Sequence, residues 1–288
     1  MKTFSSIGAL RDALDGLEHH ATLGLVPTMG AFHAGHVALF RAAREACNVV
    51  VVSLFVNPAQ FGDPADLANY PRDQVRDEKV AAASGVDVLF VPSLDEMYPP
   101  GYATWIEMEE PARRLEGEFR PGHFRGVTTV CLKLFHIVRP QVAFFGQKDA
   151  QQVAVITRLV RDLDLDLEIR VVPTVRDADG LALSSRNVRL SLDDRRRALA
   201  IPRALAAGMA AYRRGGDPIV AARAELAGLA VDYVTVETFE GHPTLAVAAR
   251  VGGTRLIDNA PLDAVASPES GRTAPATPSS PFAQKGTS

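Results

Sequence analysis

Leu23-Gly24-Leu25-Val26-Pro27-Thr28-Met29-Gly30-Ala31-Phe32-His33-Ala34-Gly35-His36 decides the fold: an apolar run passes through a small-residue turn into the start of a helix. A strand that ends in such a turn and opens a helix presents backbone N–H groups and the positive end of a helix dipole, which together attract phosphate. His33 and His36, three residues apart on the first helical turn, face the same side and add imidazole hydrogen-bond donors. Thr28 to His36 therefore reads as a polyphosphate cradle. It is neither G-x-x-x-x-G-K-[ST] nor G-x-G-x-x-G.

Working outward, the same arrangement recurs. Asn48 to Val56, Asp87 to Pro92, Val142 to Phe145 and Leu167 to Pro173 are continuous apolar runs, as is Leu23 to Pro27. Continuous rather than alternating polarity marks strands of a parallel sheet buried on both faces. Helical patterns lie between them at His36 to Cys47, Leu67 to Ser84, Thr128 to Val138 and Ala150 to Asp162. This order predicts an α/β, Rossmann-like, doubly wound parallel sheet over 1–175, with ligands at the carboxyl ends of the strands.

From 176 to 262 the pattern changes to a smaller α+β domain. It comprises a long helix over Leu192 to Arg214, a second near Pro218 to Gly228, and β runs at Val231 to Phe239, Leu245 to Val251 and Arg255 to Asp258. The stretch 263–288 is rich in Pro and Ser and poor in apolar bulk, the composition of a disordered tail.

Composition narrows the function classes. The 288 residues carry a formal net charge of −3, against the clustered basic surface expected of a nucleic-acid or anionic-membrane partner. Only Cys47 and Cys131 are present, which suits reduced thiols rather than a disulfide scaffold. The sequence shows no stretch of membrane-spanning length and no apolar signal core, and a cytoplasmic protein is the expectation.

Three further segments put polar groups at strand ends. Asn57 and Gln60 in Phe55-Val56-Asn57-Pro58-Ala59-Gln60-Phe61 offer two uncharged amides for a hydroxyl or carboxylate, though Asn57-Pro58 alone also makes a turn. Gly146-Gln147-Lys148-Asp149 follows an apolar strand, with Lys148 suited to phosphate charge and Asp149 to capping; a solvated surface lysine is the plainer alternative. Leu183-Ser184-Ser185-Arg186-Asn187 stands near the domain junction, where Arg186 matches phosphate oxygens in a bidentate way.

Together with Tyr70-Pro71-Arg72-Asp73 and His123-Phe124-Arg125-Gly126-Val127, these motifs in this order resemble the pantothenate synthetase family over roughly residues 3 to 262. The resemblance implies that pantoate is adenylated by ATP with Mg2+ and that β-alanine then displaces AMP. It implies His36 as proton donor, His33 at the phosphates, and Lys148 as a third catalytic group. The ATP contacts it implies are Met29, Gly30, Ala31, Phe32, His33, Ala34, Gly35 and His36, then Gly146, Gln147, Lys148 and Asp149, and finally Val175, Leu183, Ser184, Ser185 and Arg186. Gln60 and Gln152 would hold pantoate, with Asn57 beside them and Gln60 also meeting β-alanine. The family likeness further implies a homodimer and no dedicated protein ligands for a metal. Gln147, Ala150 and Leu183 stand where the family often has Glu, Tyr and Met. Two rival readings are an adenylyltransferase acting on a phosphate ester and a nucleotide-binding regulator without catalysis.

Overall fold

The computed structural model describes residues 1–17 and 20–263; the expected tail lies outside the described residues apart from Asp263. Six strands form one parallel sheet: β1 (Lys2–Phe4), β2 (Leu23–Thr28), β3 (Val49–Leu54), β4 (Val88–Phe90), β5 (Val142–Gly146) and β6 (Glu168–Val172). Their order is β1-β4-β3-β2-β5-β6, every pairing parallel. The chain steps from β2 outward to β3 on one side and later returns to β5 on the other, so the strand order reverses at β2. Crevices outside the carboxyl ends of strands at such a reversal are where open α/β sheets bind ligands.

The helices of this part are α1 (Ile7–Asp15), α2 (Ala34–Ala46), α3 (Pro64–Ala68), α4 (Gln74–Ala83), α5 (Leu94–Met97), α6 (Glu116–Phe119), α7 (His123–Val138) and α8 (Ala150–Asp162). Val26, Val50, Val52, Leu89 and Phe144 face one side of the sheet and pack with Phe40 and Ala43 of α2 and Ala81 of α4. Their neighbours in sequence, Leu25, Val49, Val51, Val88 and Ala143, are also fully buried. Burial of successive residues explains the unbroken apolar runs of the inner strands; the expected continuous apolar, doubly buried strand at Leu167 to Pro173 is corrected, because β6 lies at the sheet edge with Glu168, Arg170 and Val171 exposed.

Two expected helices are corrected. Leu67 to Ser84 is broken into α3 and α4, because Pro71 has no N–H to donate and Asp73 caps a new helix, accepting from Arg76 N–H at 3.0 Å. Leu192 to Arg214 is two helices, α9 (Leu192–Ala198) and α10 (Ala200–Arg213), which meet at Leu199. Pro202 then falls in the first turn of α10, where its missing N–H costs nothing; inside one long helix its ring would collide with the carbonyl of Ala198.

Among the described residues the second compact unit consists of Gln147–Ala154 and 173–263, whereas Val155–Val172 belongs with the sheet. It adds α11 (Pro218–Glu225) and an antiparallel sheet of β7 (Ala230–Phe239), β8 (His242–Val251) and β9 (Thr254–Pro261), in that order. Ile201, Ala204 and Leu205 of α10 pack with Ala222 of α11 and with Leu245, Val247 and Leu256 of the sheet. Among the described residues no helix is long and apolar enough to cross a membrane.

Candidate functional site

β2 and β3 end side by side and are tied there. Thr28 Oγ1 donates to the carbonyl of Ser53 at 2.6 Å, and Phe55 N–H donates to the carbonyl of Thr28 at 3.1 Å. Beyond Thr28 the chain turns through two left-handed residues, Gly30 (φ 83°) and Ala31 (φ 53°). Glycine takes that conformation without cost, and here a Cβ would also stand 2.9 Å from Oδ2 of Asp77. Asp77 itself accepts from Ala31 N–H and Phe32 N–H, both at 2.7 Å. Two N–H groups expected to face phosphate are therefore spent on a buried carboxylate of α4, which corrects the picture of the turn as an open cradle.

The two histidines that follow cap α2 with each other's help. His33 Nδ1 accepts from Gly35 N–H at 3.1 Å, and His36 Nδ1 accepts from His33 N–H at 3.2 Å, a reciprocal capping box built from imidazoles. Burial first, and His33 second, push the His36 imidazole down to about 3. The ring is neutral near pH 7, and with Nδ1 accepting, its proton sits on Nε2. Packing fixes the plane: the His36 ring lies 4.2 Å from that of His33 and 5.3 Å from that of Phe32, centroid to centroid.

At the end of β3 a short 3-10 turn, Pro58–Gln60, carries the two amides. Asn57 is 1% exposed and has every hydrogen-bonding position filled. Its Nδ2 donates to Gln60 Oε1 and to the carbonyl of Gly126, both at 3.1 Å, while its Oδ1 accepts from Ala59 N–H at 3.3 Å and Tyr98 O–H at 2.9 Å. Each polar position of Asn57 is thus engaged within the protein. Its side chain holds Gln60 with the amide oxygen occupied and the Nε2 donors outward from that bond.

The main chain of Gln60 is held as firmly. Its carbonyl accepts from His123 Nδ1 at 2.8 Å and from Arg120 Nη2 at 3.4 Å. Arg120 Nη1 donates to His123 Nε2 at 3.1 Å and pairs with Glu116 at 3.5 Å. Gly126 lets α7 approach this turn, since a Cβ there would lie 2.3 Å from the carbonyl oxygen of Ala59 and 2.6 Å from Gln60 N. The His-Phe-Arg-Gly motif thus serves Gln60, and it starts α7 at His123 rather than at the expected Thr128.

In the second unit, Gln147–Asp149 forms a 3-10 turn leading into α8. Asn259 Nδ2 donates to the carbonyls of Gln147 and Lys148, each at 2.9 Å, and Gln147 Nε2 donates to Asn259 Oδ1 at 3.3 Å. Neighbouring Asp258, 3% exposed, takes a two-pronged ion pair from Arg176 at 2.6 and 3.1 Å. Lys148 Nζ lies 3.6 Å from Asp149 Oδ1. Leu183 N–H donates to the carbonyl of Val175 at 3.0 Å, so these two expected nucleotide contacts are adjacent. Ser184 caps the next turn by accepting from Arg186 N–H at 3.3 Å.

The expected site residues thus fall into two sets. Met29, Gly30, Ala31, Phe32, His33, Ala34, Gly35 and His36 lie with Asn57, Gln60 and Gly146 in the sheet unit, the first two groups at the ends of adjacent strands. Gln147, Lys148, Asp149, Gln152, Val175, Leu183, Ser184, Ser185 and Arg186 lie in the second unit. Sequence reasoning gave no role to Asp77, Tyr98, Arg120, His123 or Asn259. The quoted motif at His123 was the one available signal; the others act across separations that no local pattern carries.

Comparison with known proteins shows the family. The family described as pantoate-beta-alanine ligase matches residues 2–261. A pantothenate synthetase of Heliobacterium modesticaldum is 52% identical over 83% of this chain and 90% of its own. One from Moorella thermoacetica is 47% identical over 91% of this chain and 99% of its own. Among solved structures, a pantothenate synthetase of Thermus thermophilus superposes with a TM-score of 0.86 at 42% identity, covering 91% of this chain and 99% of that one. The pantoate-beta-alanine ligase of Francisella tularensis, complexed with beta-gamma ATP and β-alanine, gives 0.82 at 36% identity over 93% and 100%.

Proposed function

The chain belongs to the pantoate-beta-alanine ligase family, and on that premise we propose that it condenses (R)-pantoate with β-alanine, converting ATP to AMP and pyrophosphate. Carboxylate oxygen attacks the α-phosphorus and the bond to the β-phosphate breaks, giving pantoyl adenylate. The amine of β-alanine then attacks the acyl carbon, AMP leaves, and the nitrogen sheds its proton.

The observation that carries this reading is the state of His36. Its Nε2–H has no protein partner among the described residues, and its ring is neutral. A neutral imidazole does not give up its last proton near pH 7. The residue therefore serves the phosphoryl transfer as a fixed hydrogen-bond donor to oxygens gathering charge, rather than as an acid that surrenders a proton. No proton is needed, because pyrophosphate leaves as a stable anion.

Gln60 fits the acid. With its oxygen engaged by Asn57, its amide offers donors, which suit a carboxylate or hydroxyl oxygen. Gln152 is read as its counterpart toward pantoate. Lys148 supplies positive charge to the triphosphate, with Ser184, Ser185 and Arg186 contributing donors. Among the described residues no three His, Cys, Asp or Glu side chains are grouped as metal ligands. Magnesium enters in this reading as part of the ATP substrate. A cytoplasmic homodimer completes the proposal.

The test is pyrophosphate release from MgATP and D-pantoate, before and after β-alanine is added. A stoichiometric burst that becomes catalytic, with AMP and pantothenate, on adding the amine supports the two-step ligase. Absence of any pantoate-dependent pyrophosphate from folded, ATP-binding protein overturns it.

A further inference from the structure

Asp77 lies in the first turn of α4, 1% exposed, and among the described residues no cation pairs with it. A buried carboxylate without a counter-ion depends on the hydrogen bonds it accepts, and those shown come from two successive backbone N–H groups, Ala31 and Phe32. The placement is specific. Ala31 is held in the left-handed region, where a side chain is disfavoured, and Gly30 before it leaves the space that Oδ2 fills. Phe32, anchored through its N–H, is 1% exposed and packs edge-on against Phe40 at 5.1 Å and against the His36 ring at 5.3 Å. A chain of contacts thus runs from carboxylate to turn, from turn to Phe32, and from Phe32 to the imidazole.

We propose that Asp77 is a positioning residue for phosphoryl transfer, holding the turn between β2 and α2 so that the His36 ring is fixed in place. It touches no substrate in this proposal. The tie also makes α4 part of the apparatus, although nothing in the sequence of α4 resembles a nucleotide motif. The proposal rests on the ligase reading for its kinetic arm only.

The experiment uses the full chain with Asp77→Asn and Asp77→Glu. Asparagine keeps the volume but turns an NH2 group toward one of the two N–H donors. Glutamate keeps the charge and pushes the turn outward by one methylene. Both are expected to lower kcat for pantoyl adenylate formation roughly 10- to 100-fold, the effect of displacing a reacting group by about an ångström, while KM for pantoate stays within about twofold. The independent readout is the His36 ring, followed by NMR between pH 3 and 8: in the wild type it stays neutral down to about pH 4, and in Asp77→Asn its titration moves up toward the ordinary histidine range. This second arm needs no turnover. An inactive wild type would therefore sink the ligase reading without touching the positioning claim. Wild-type kcat with an unmoved His36 titration in the folded variants overturns the positioning role, as does failure of both variants to fold, which would leave Asp77 a stability determinant alone.

Discussion

Asn259, in the C-terminal half of β9, holds the main chain on both sides of Lys148, its side-chain amide donating to the carbonyls of Gln147 and Lys148, each at 2.9 Å. Asn259 is 5% exposed, so these bonds are shielded from water. Asn259→Asp keeps the shape and removes both donors, setting a carboxylate against two carbonyl oxygens. The expected result is a rise of about tenfold or more in KM for ATP with pantoate KM little changed, read from initial rates with each substrate varied in turn.

Lys148→Ala removes the charge itself rather than its support. ATP use is expected to fall further than in the Asn259 variant, and pantoate recognition should be spared. Equal losses toward both substrates in the same steady-state assay would take Lys148 off the phosphates.

His36→Ala should lower kcat about 10²- to 10³-fold, the usual cost of removing one positioned hydrogen-bond donor to developing negative charge. It also removes the acceptor for His33 N–H at the head of α2. Thermal unfolding should therefore show a concurrent loss of about 1 kcal/mol, the usual cost of a lost cap. A variant with unchanged Tm would show that this half of the capping box adds nothing to stability.

The pH dependence follows from the direction of the His36 shift. The folded ring is held down to about 3, so the unfolded chain binds the extra proton first, at the ordinary histidine value near 6.5. The contribution to stability is intact above about 6.5 and is lost progressively as pH falls toward about 3. Activity between pH 5 and 7 should show no limb from His36; a kcat limb near 6.5 that disappears in His36→Gln would contradict the neutral-donor role.

Gly126→Ala forces a methyl group onto the Ala59 carbonyl, so α7 and the Pro58–Gln60 turn must separate. A loss of about 1–3 kcal/mol is expected from overpacking, together with a raised KM for pantoate as Gln60 shifts. Chemical denaturation and substrate titration on one preparation check both.

Much of the architecture was legible because burial on both faces leaves continuous apolar runs, as at Val49 to Val52, and because the turn after Leu25 carries its histidines in view. β1 was not, since three residues at the sheet edge, mostly exposed, leave no pattern. The break before Asp73 was hidden by the apolar spacing on either side of Pro71. Within the candidate site, the polar residues at strand ends were easier to find than those that hold them. Asp77 reaches a turn 46 positions away in sequence, and Asn259 one more than 100 away. The boundary after Gly146 was also hidden, because α8 continues the sheet unit's helical rhythm while the 3-10 turn leading into it is tied to β9.

The saturated amide of Asn57 has a consequence for redesign. Because its two donors and two acceptor positions are all committed, Gln60 cannot be turned over without also reversing Asn57, which would set its NH2 against Ala59 N–H and its oxygen against the Gly126 carbonyl. Turning Gln60 from a donor into an acceptor is thus a concerted problem, involving at least Asn57, Gln60 and Tyr98. Point-by-point search of single replacements would meet a broken interior before it met a new preference.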